Sequence, residues 1–196
     1  MTRTDMADPV GQSNGEAEKT KEQAKAEFLW SVIGRYDSYI GSTNTKGALL
    51  GTFNTFVLGT IVLKWKDLQT ALAGHPHCTT WAGIFVVLAA AATVVSLGFV
   101  FAAIHPFLKS YKKVGGYHSN IFFVHVAEHP NGEDYRKSVM DADDAKDVTD
   151  LSHQAHVLAK GLGAKMVQLQ RSVIATVASL AAILGVIVCL FIASVA

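Results

Sequence analysis

The sequence predicts an all-α membrane protein, with three transmembrane helices, cytoplasmic helical extensions and a short strand or loop segment. Three observations predict it. Half of the 196 residues are hydrophobic and only 17% are charged, against about a quarter in ordinary soluble domains. The mean hydropathy is +0.28. The charges are missing from three long stretches rather than thinned out evenly. A formal net charge of +1 excludes a strongly basic nucleic-acid binder, and no nucleic-acid partner is expected. Two cysteines far apart in the chain exclude a disulfide framework and a cysteine-rich metal module.

Residues 1–15 are polar, with little to bury, and read as a disordered tail. Residues 16–41 read as a cytoplasmic amphipathic helix. Its apolar residues Phe28, Leu29, Val32, Ile33, Tyr36 and Ile40 recur at the spacings that mark one helical face. Gly41-Ser42-Thr43-Asn44 is expected to break or bend the chain before the first span, residues 46–64. That span holds an uncharged run of about 17 residues, GALLGTFNTFVLGTIVL, at the lower limit for crossing a bilayer. The second span, 79–104, and the third, 172–196, carry about 26 and about 25 uncharged residues, ample for crossing. Neither shows the polar face expected of a helix buried in a soluble core.

Lysine and arginine set the expected orientation. Arg3, Lys19, Lys21, Lys25, Arg35 and Lys46 precede the first uncharged run, and only Lys64 and Lys66 lie between it and the second. Lys109, Lys112, Lys113, Arg136, Lys137, Lys146, Lys160, Lys165 and Arg171 lie between the second and third. The excess of positive residues predicts a cytoplasmic N-terminus and a cytoplasmic 105–171 module. Three crossings then put the C-terminus on the periplasmic or extracellular side.

Within the 105–171 module, Lys109, Lys112 and Lys113 are expected at the level of anionic headgroups. IFFVHVA, bounded by Gly115-Gly116 and Pro130-Asn131-Gly132, reads as a strand or packed loop. The acidic DADDAKDVTD reads as solvated, with Thr149 or Asp150 as the cap of the next helix. From Leu151 the stripe Leu151, Ala155, Leu158, Leu162, Met166 and Leu169 predicts a helix. No breaker separates it from the third span, so one long helix is expected, packed against the N-terminal one.

Gly47, Gly51, Thr55 and Gly59 place small residues four apart on one face of the first span. Such a face serves close packing within the chain or self-association. Asn54 needs a hydrogen-bonding partner in lipid, either another span or a cavity. No Asp, Glu, Lys or Arg lies inside the three uncharged runs, which argues against a proton-coupled transporter or ion pump. His153 and His156 are three apart, but no carboxylate or cysteine completes a metal set, so neither metal nor cofactor is expected. No nucleophile, zinc-protease, Walker or dinucleotide pattern is present, and no enzymatic activity is expected.

Three stretches, RYDSYIGSTNTKGALLGTF, SNIFFVHVAEHPNGEDYRKSV and DLSHQAHVLAKGLGAKMVQLQRSV, resemble in this order the Pycsar-type transmembrane effector domain. The resemblance covers residues 25–196. It departs at Val124, where the family tends to have Gly, and at His125, where it tends to be acidic. It implies a bacterial antiphage effector of the inner membrane. An associated cyclase would make a cyclic pyrimidine nucleotide such as cCMP or cUMP, and the effector would respond by disrupting the membrane as a homo-oligomer. For such an anionic ligand the candidate residues are Arg35, Lys46, Tyr117, His118, Asn120, Phe122 and Lys160. Cations would meet the phosphate and an aromatic ring would stack on the base. The alternatives are a membrane scaffold that anchors a cytoplasmic partner, and a small channel.

Overall fold

The computed structural model describes residues 9–105 and 119–195. Among these are five helices and no strand: α1 Pro9–Ala71, α2 Pro76–Ile104, α3 Phe123–Ala127, α4 Gly132–Met140 and α5 Asp144–Val195. α1, α2 and α5 are each long and apolar enough to cross a membrane. Residues 1–8 of the expected tail, and Lys109, Lys112 and Lys113, lie outside the described residues.

The chain forms two compact units. Unit 1 comprises Met1–Ser38 and Leu108–Gly161, and unit 2 comprises Tyr39–Phe107 and Leu162–Ala196. The core of unit 1 is Ile33, Leu151 and Ala155, packed with Ala26, Leu29, Val32, Tyr36, Ile121 and Leu158. These residues recur every three or four positions along α1 and α5, so each helix lays one apolar stripe against the other. Leu151 is 1% exposed, which contributes about 1.5–3 kcal/mol of burial.

Unit 2 holds the spans. Phe56, Leu63, Phe101 and Phe191 are exposed, as suits side chains whose solvent is hydrocarbon. Leu72, Ala82 and Cys189 form a buried cluster at one end, with Leu68, Cys78, Phe85 and Leu190 against it. Glycines allow the close approaches. A Cβ on Gly47 would sit 3.2 Å from Ile104 Cγ1, one on Gly51 3.3 Å from Val100 Cγ1, and one on Gly185 2.9 Å from the Phe85 ring. The first two members of the small-residue stripe are therefore used within the chain. Thr55 and Gly59 remain exposed.

Several expectations are corrected. α1 runs unbroken through Gly41-Ser42-Thr43-Asn44. There the Thr43 hydroxyl donates to the Tyr39 carbonyl at 2.8 Å and the Thr45 hydroxyl to the Gly41 carbonyl at 3.1 Å. These residues bond back into the helix instead of offering the backbone a turn. α2, which contains the second uncharged run, starts at Pro76 with proline in the first turn, where its missing N–H costs nothing. Thr79 instead donates to the carbonyls of Leu72 and His75 and so closes the connection from α1. The start of α5 is bonded by Asp143, whose carboxylate accepts the Lys146 N–H at 2.7 Å, and Thr149 and Asp150 lie inside the helix. α5 is the single long helix that the absence of a breaker predicts.

The IFFVHVA segment is neither strand nor open loop: Phe123–Ala127 is a short helix. The Ser119 hydroxyl accepts the N–H groups of Ile121 and Phe122 at 3.2 and 2.9 Å. The Phe122 carbonyl then accepts from His125 and Val126. Local bonds of this kind curl a β-prone sequence that has no strand to pair with. α4 follows, with Asn131 as N-cap accepting from Glu133 and Asp134, the usual asparagine role.

Candidate functional site

Unit 1 contains a buried polar hub centred on Asn120. Its N–H donates to Asp150 Oδ2 at 2.7 Å, and its Nδ2 donates to the Ser138 carbonyl at 3.0 Å. Its Oδ1 accepts from the Ser138 hydroxyl at 2.8 Å, and its carbonyl accepts from the Tyr135 hydroxyl at 2.9 Å. Asn120 thus ties α4 and α5 to the segment before α3. Asp150 is 1% exposed, and its second oxygen, Oδ1, is buried with no hydrogen-bond partner among the described residues. A desolvated carboxylate oxygen left unpaired is costly, so Oδ1 is a place in the hub that can accept a donor.

His125 completes the hub. It is buried, and its Nδ1 accepts the Ser119 N–H at 3.1 Å, which places the neutral ring's proton on Nε2. The Phe122 ring lies edge-on to His125 at 5.5 Å and tilted to Phe123 at 5.2 Å.

The structure distributes the sequence-derived candidates unevenly. Asn120 and Phe122 belong to this hub. Arg35 and Lys160 are exposed cations of unit 1, on α1 and α5. Lys46 is exposed and belongs to unit 2. Tyr117 and His118 lie outside the described residues. Asp150, Ser138, Tyr135 and Ser119 were missed. Asp150 sat in a stretch that reads as solvated by charge alone, and a lone buried carboxylate has no signature in spacing. His153 and His156 are both exposed, and no group of three or more metal-ligating side chains occurs among the described residues.

In unit 2 the interior is polar where the sequence reading placed no polar face. Asn54, Thr93, Ser96 and Ser172 are 0% exposed. Asn54 Nδ2 donates to the Leu50 carbonyl, to Ser96 Oγ at 3.2 Å and to Thr176 Oγ1 at 3.0 Å. Ser96 Oγ lies 2.7 Å from Ser172 Oγ and 2.8 Å from Thr176 Oγ1. One layer on, Thr93 Oγ1 lies 2.7 Å from Ser179 Oγ. One asparagine from α1, two hydroxyls from α2 and three from α5 thus join the spans. The signal was present, since Thr93 and Ser96 are three apart and Ser172, Thr176 and Ser179 are four and three apart. Hydroxyls weigh little in a hydropathy average, so the runs read as uniformly apolar.

At one end of this seam Lys165, 8% exposed, closes the C-terminus of α2. Its Nζ donates to the Ala103 carbonyl at 2.6 Å, to those of Ile104 and His105 at 3.3 and 3.4 Å, and to Asn44 Oδ1 at 3.3 Å. An ammonium there satisfies helix carbonyls that lack partners and complements the negative end of the helix dipole.

Three apolar helices with a hydrogen-bonded interior, together with a small helical unit built around a buried polar hub, define a multi-pass membrane protein with an appended module. A family model described as the Pycsar effector protein domain matches residues 28–193. The chain belongs to the Pycsar effector family and is an antiviral defence effector. A relative from Escherichia coli, the Pycsar effector protein EcPycTM, is 29% identical over 153 residues, covering 74% of this chain and 77% of the relative. No solved structure matches the chain.

Proposed function

We propose that this protein is an antiphage effector of the inner membrane that receives a cyclic nucleotide on unit 1 and responds by permeabilising the bilayer, as a homo-oligomer, until the infected cell dies or arrests. Unit 1 and the N-terminus face the cytoplasm in this reading, as the distribution of lysine and arginine supports, and the C-terminus faces the periplasm. The observation that carries the reading is the division of labour within two unbroken helices. α1 and α5 each supply residues to a polar hub unit and to a membrane unit, so the two units share continuous helical backbone.

The ligand is a cyclic pyrimidine nucleotide such as cCMP or cUMP, supplied by an associated cyclase. Its phosphate meets Arg35 and Lys160, its base stacks on Phe122, and an N–H or O–H of the ligand satisfies Asp150 Oδ1. Tyr117, His118 and Asn120 complete the candidate set, with Asn120 positioning the segment before α3; Lys46, of unit 2, is not part of a site on unit 1. The nucleotide shifts the protein between closed and permeable states only by its differential affinity for the two.

The test is dye release from proteoliposomes carrying the purified protein, titrated with cCMP, cUMP, cAMP and cGMP. The expected result is release with one cyclic pyrimidine nucleotide. Arg35→Ala should move the half-maximal concentration up by about tenfold or more, as expected for losing a charge-assisted hydrogen bond. Silence with all four nucleotides overturns direct gating by these ligands and favours a membrane scaffold.

A further inference from the structure

Among α1, α2 and α5, unit 2 carries an apolar groove of about 500 Å³ that opens toward the hydrocarbon, between the exposed Phe56 and Ile187. Its α1 residues Phe56, Thr60, Lys64, Asp67 and Ala71 recur every three or four positions, so the groove follows one face of that helix. The Thr60 hydroxyl donates to the Phe56 carbonyl at 2.9 Å and so asks nothing of an occupant. The groove changes character at Lys64. Lys64 Nζ and Asp67 Oδ2 lie 2.9 Å apart, with both side chains well exposed. Trp65 lines the groove as well, and tryptophan is a residue of the headgroup level. From Phe56 to Lys64 is about 12 Å of helix, against about 15 Å for half of a hydrocarbon core.

We propose that this groove seats an acyl chain of a zwitterionic phospholipid with a primary ammonium, whose phosphate meets Lys64 and whose ammonium meets Asp67. Unfilled apolar space forfeits dispersion contacts, and water finds no polar partners in it. The occupant is therefore apolar over the length of one leaflet. At the charged end, a cation and a carboxylate side by side complement a head that carries both signs. An exposed ion pair contributes little to stability, so parting Lys64 from Asp67 to admit phosphate and ammonium costs little. An anionic head without an ammonium would satisfy Lys64 and leave Asp67 facing like charge. A quaternary ammonium has no N–H to donate to Asp67. The assignment involves no nucleotide and stands apart from the gating reading.

Trp65 serves as the reporter in the test, made the sole tryptophan by Trp30→Phe and Trp81→Phe. The purified chain, delipidated in micelles, is titrated with phosphatidylethanolamine brominated on its acyl chains, and with the matching phosphatidylcholine and phosphatidylglycerol. Quenching of Trp65 is expected to saturate at a single phosphatidylethanolamine per chain. Thr60→Phe or Val57→Phe fills the groove and should abolish the quenching, while Val188→Phe, outside the groove, leaves it unchanged. Lys64→Ala, an exposed position that keeps the test open should the filling variants misfold, should raise the half-saturating concentration about fivefold. The other two lipids should bind more weakly than phosphatidylethanolamine. Quenching that never saturates, that is equal for all three lipids, or that survives both folded filling variants overturns the site. Dimers that show no quenching, and that Thr60→Phe splits into monomers, give the groove to a second copy and overturn it as well.

Discussion

In unit 1, α1 and α5 bury Ile33, Leu151 and Ala155 against each other. In unit 2 the same two helices bury Asn54, Ser172, Thr176 and Ser179 and turn Phe56, Leu63, Leu184 and Phe191 outward. In water, apolar burial drives helices together. In lipid that drive is absent, and association rests on close packing and interhelical hydrogen bonds. One helix therefore changes its rule of assembly along its own length, at Ser38/Tyr39 in α1 and Gly161/Leu162 in α5. The difference teaches that the two units should respond to opposite kinds of substitution.

The largest effect is expected in the apolar core. Leu151→Ala removes a fully buried leucine from unit 1 and should cost about 3 kcal/mol, read as a lower denaturation midpoint in detergent with the spans' helicity unchanged. Lys165→Met comes next. It strips the ammonium from the end of α2 and leaves the Ala103 carbonyl buried without that donor, at about 2 kcal/mol. Lys165→Arg should restore part of the loss in the same assay.

Asn54→Leu sharpens the comparison, because it makes the membrane interior more apolar and yet should destabilise it. The loss is about 1 kcal/mol, the modest scale of interhelical hydrogen bonds in lipid, measurable by unfolding in mixed micelles. A gain in stability would show that unit 2 follows the rule of unit 1. The smallest effect belongs to the Arg136–Glu133 pair, 2.7 Å apart but exposed on α4. Arg136 holds the Glu133 carboxyl below its ordinary range by hydrogen bonding. Exposed pairs of this kind contribute little to stability, so Arg136→Ala should leave the melting temperature of unit 1 unchanged.

Much of this architecture is legible in the amino-acid order. The apolar runs mark α2 and the membrane part of α5, and the stripe from Leu151 shows that nothing interrupts α5. Asn54 announces an interhelical bond, because amide groups cannot stay unpaired in lipid. What is not legible is decided by partners. Gly41-Ser42-Thr43-Asn44 spells a turn in water, yet Thr43 and the next residue but one, Thr45, bond carbonyls one turn back. IFFVHVA has strand composition, yet Ser119 curls it into a helix. Of the hub, sequence pattern alone picks out Asn120 and Phe122, while Arg35 and Lys160 stand as proposed ligand contacts. The hub's centre depends on Asp150 and Tyr135, which are distant from Asn120 in sequence and joined to it only by folding.

The central claim of the proposed function is that unit 1 lies in the cytoplasm while the α1–α2 connection lies across the bilayer. Side-specific thiol labelling tests it most directly, using Ser152→Cys and Gln69→Cys in a chain with Cys78→Ala and Cys189→Ala. Both chosen positions are exposed. With a membrane-impermeant maleimide on intact spheroplasts, Gln69→Cys should label at once and Ser152→Cys only after the membrane is opened. Labelling of Ser152→Cys in intact spheroplasts would contradict the account, because the unit assigned to read a cytoplasmic signal would then face away from it.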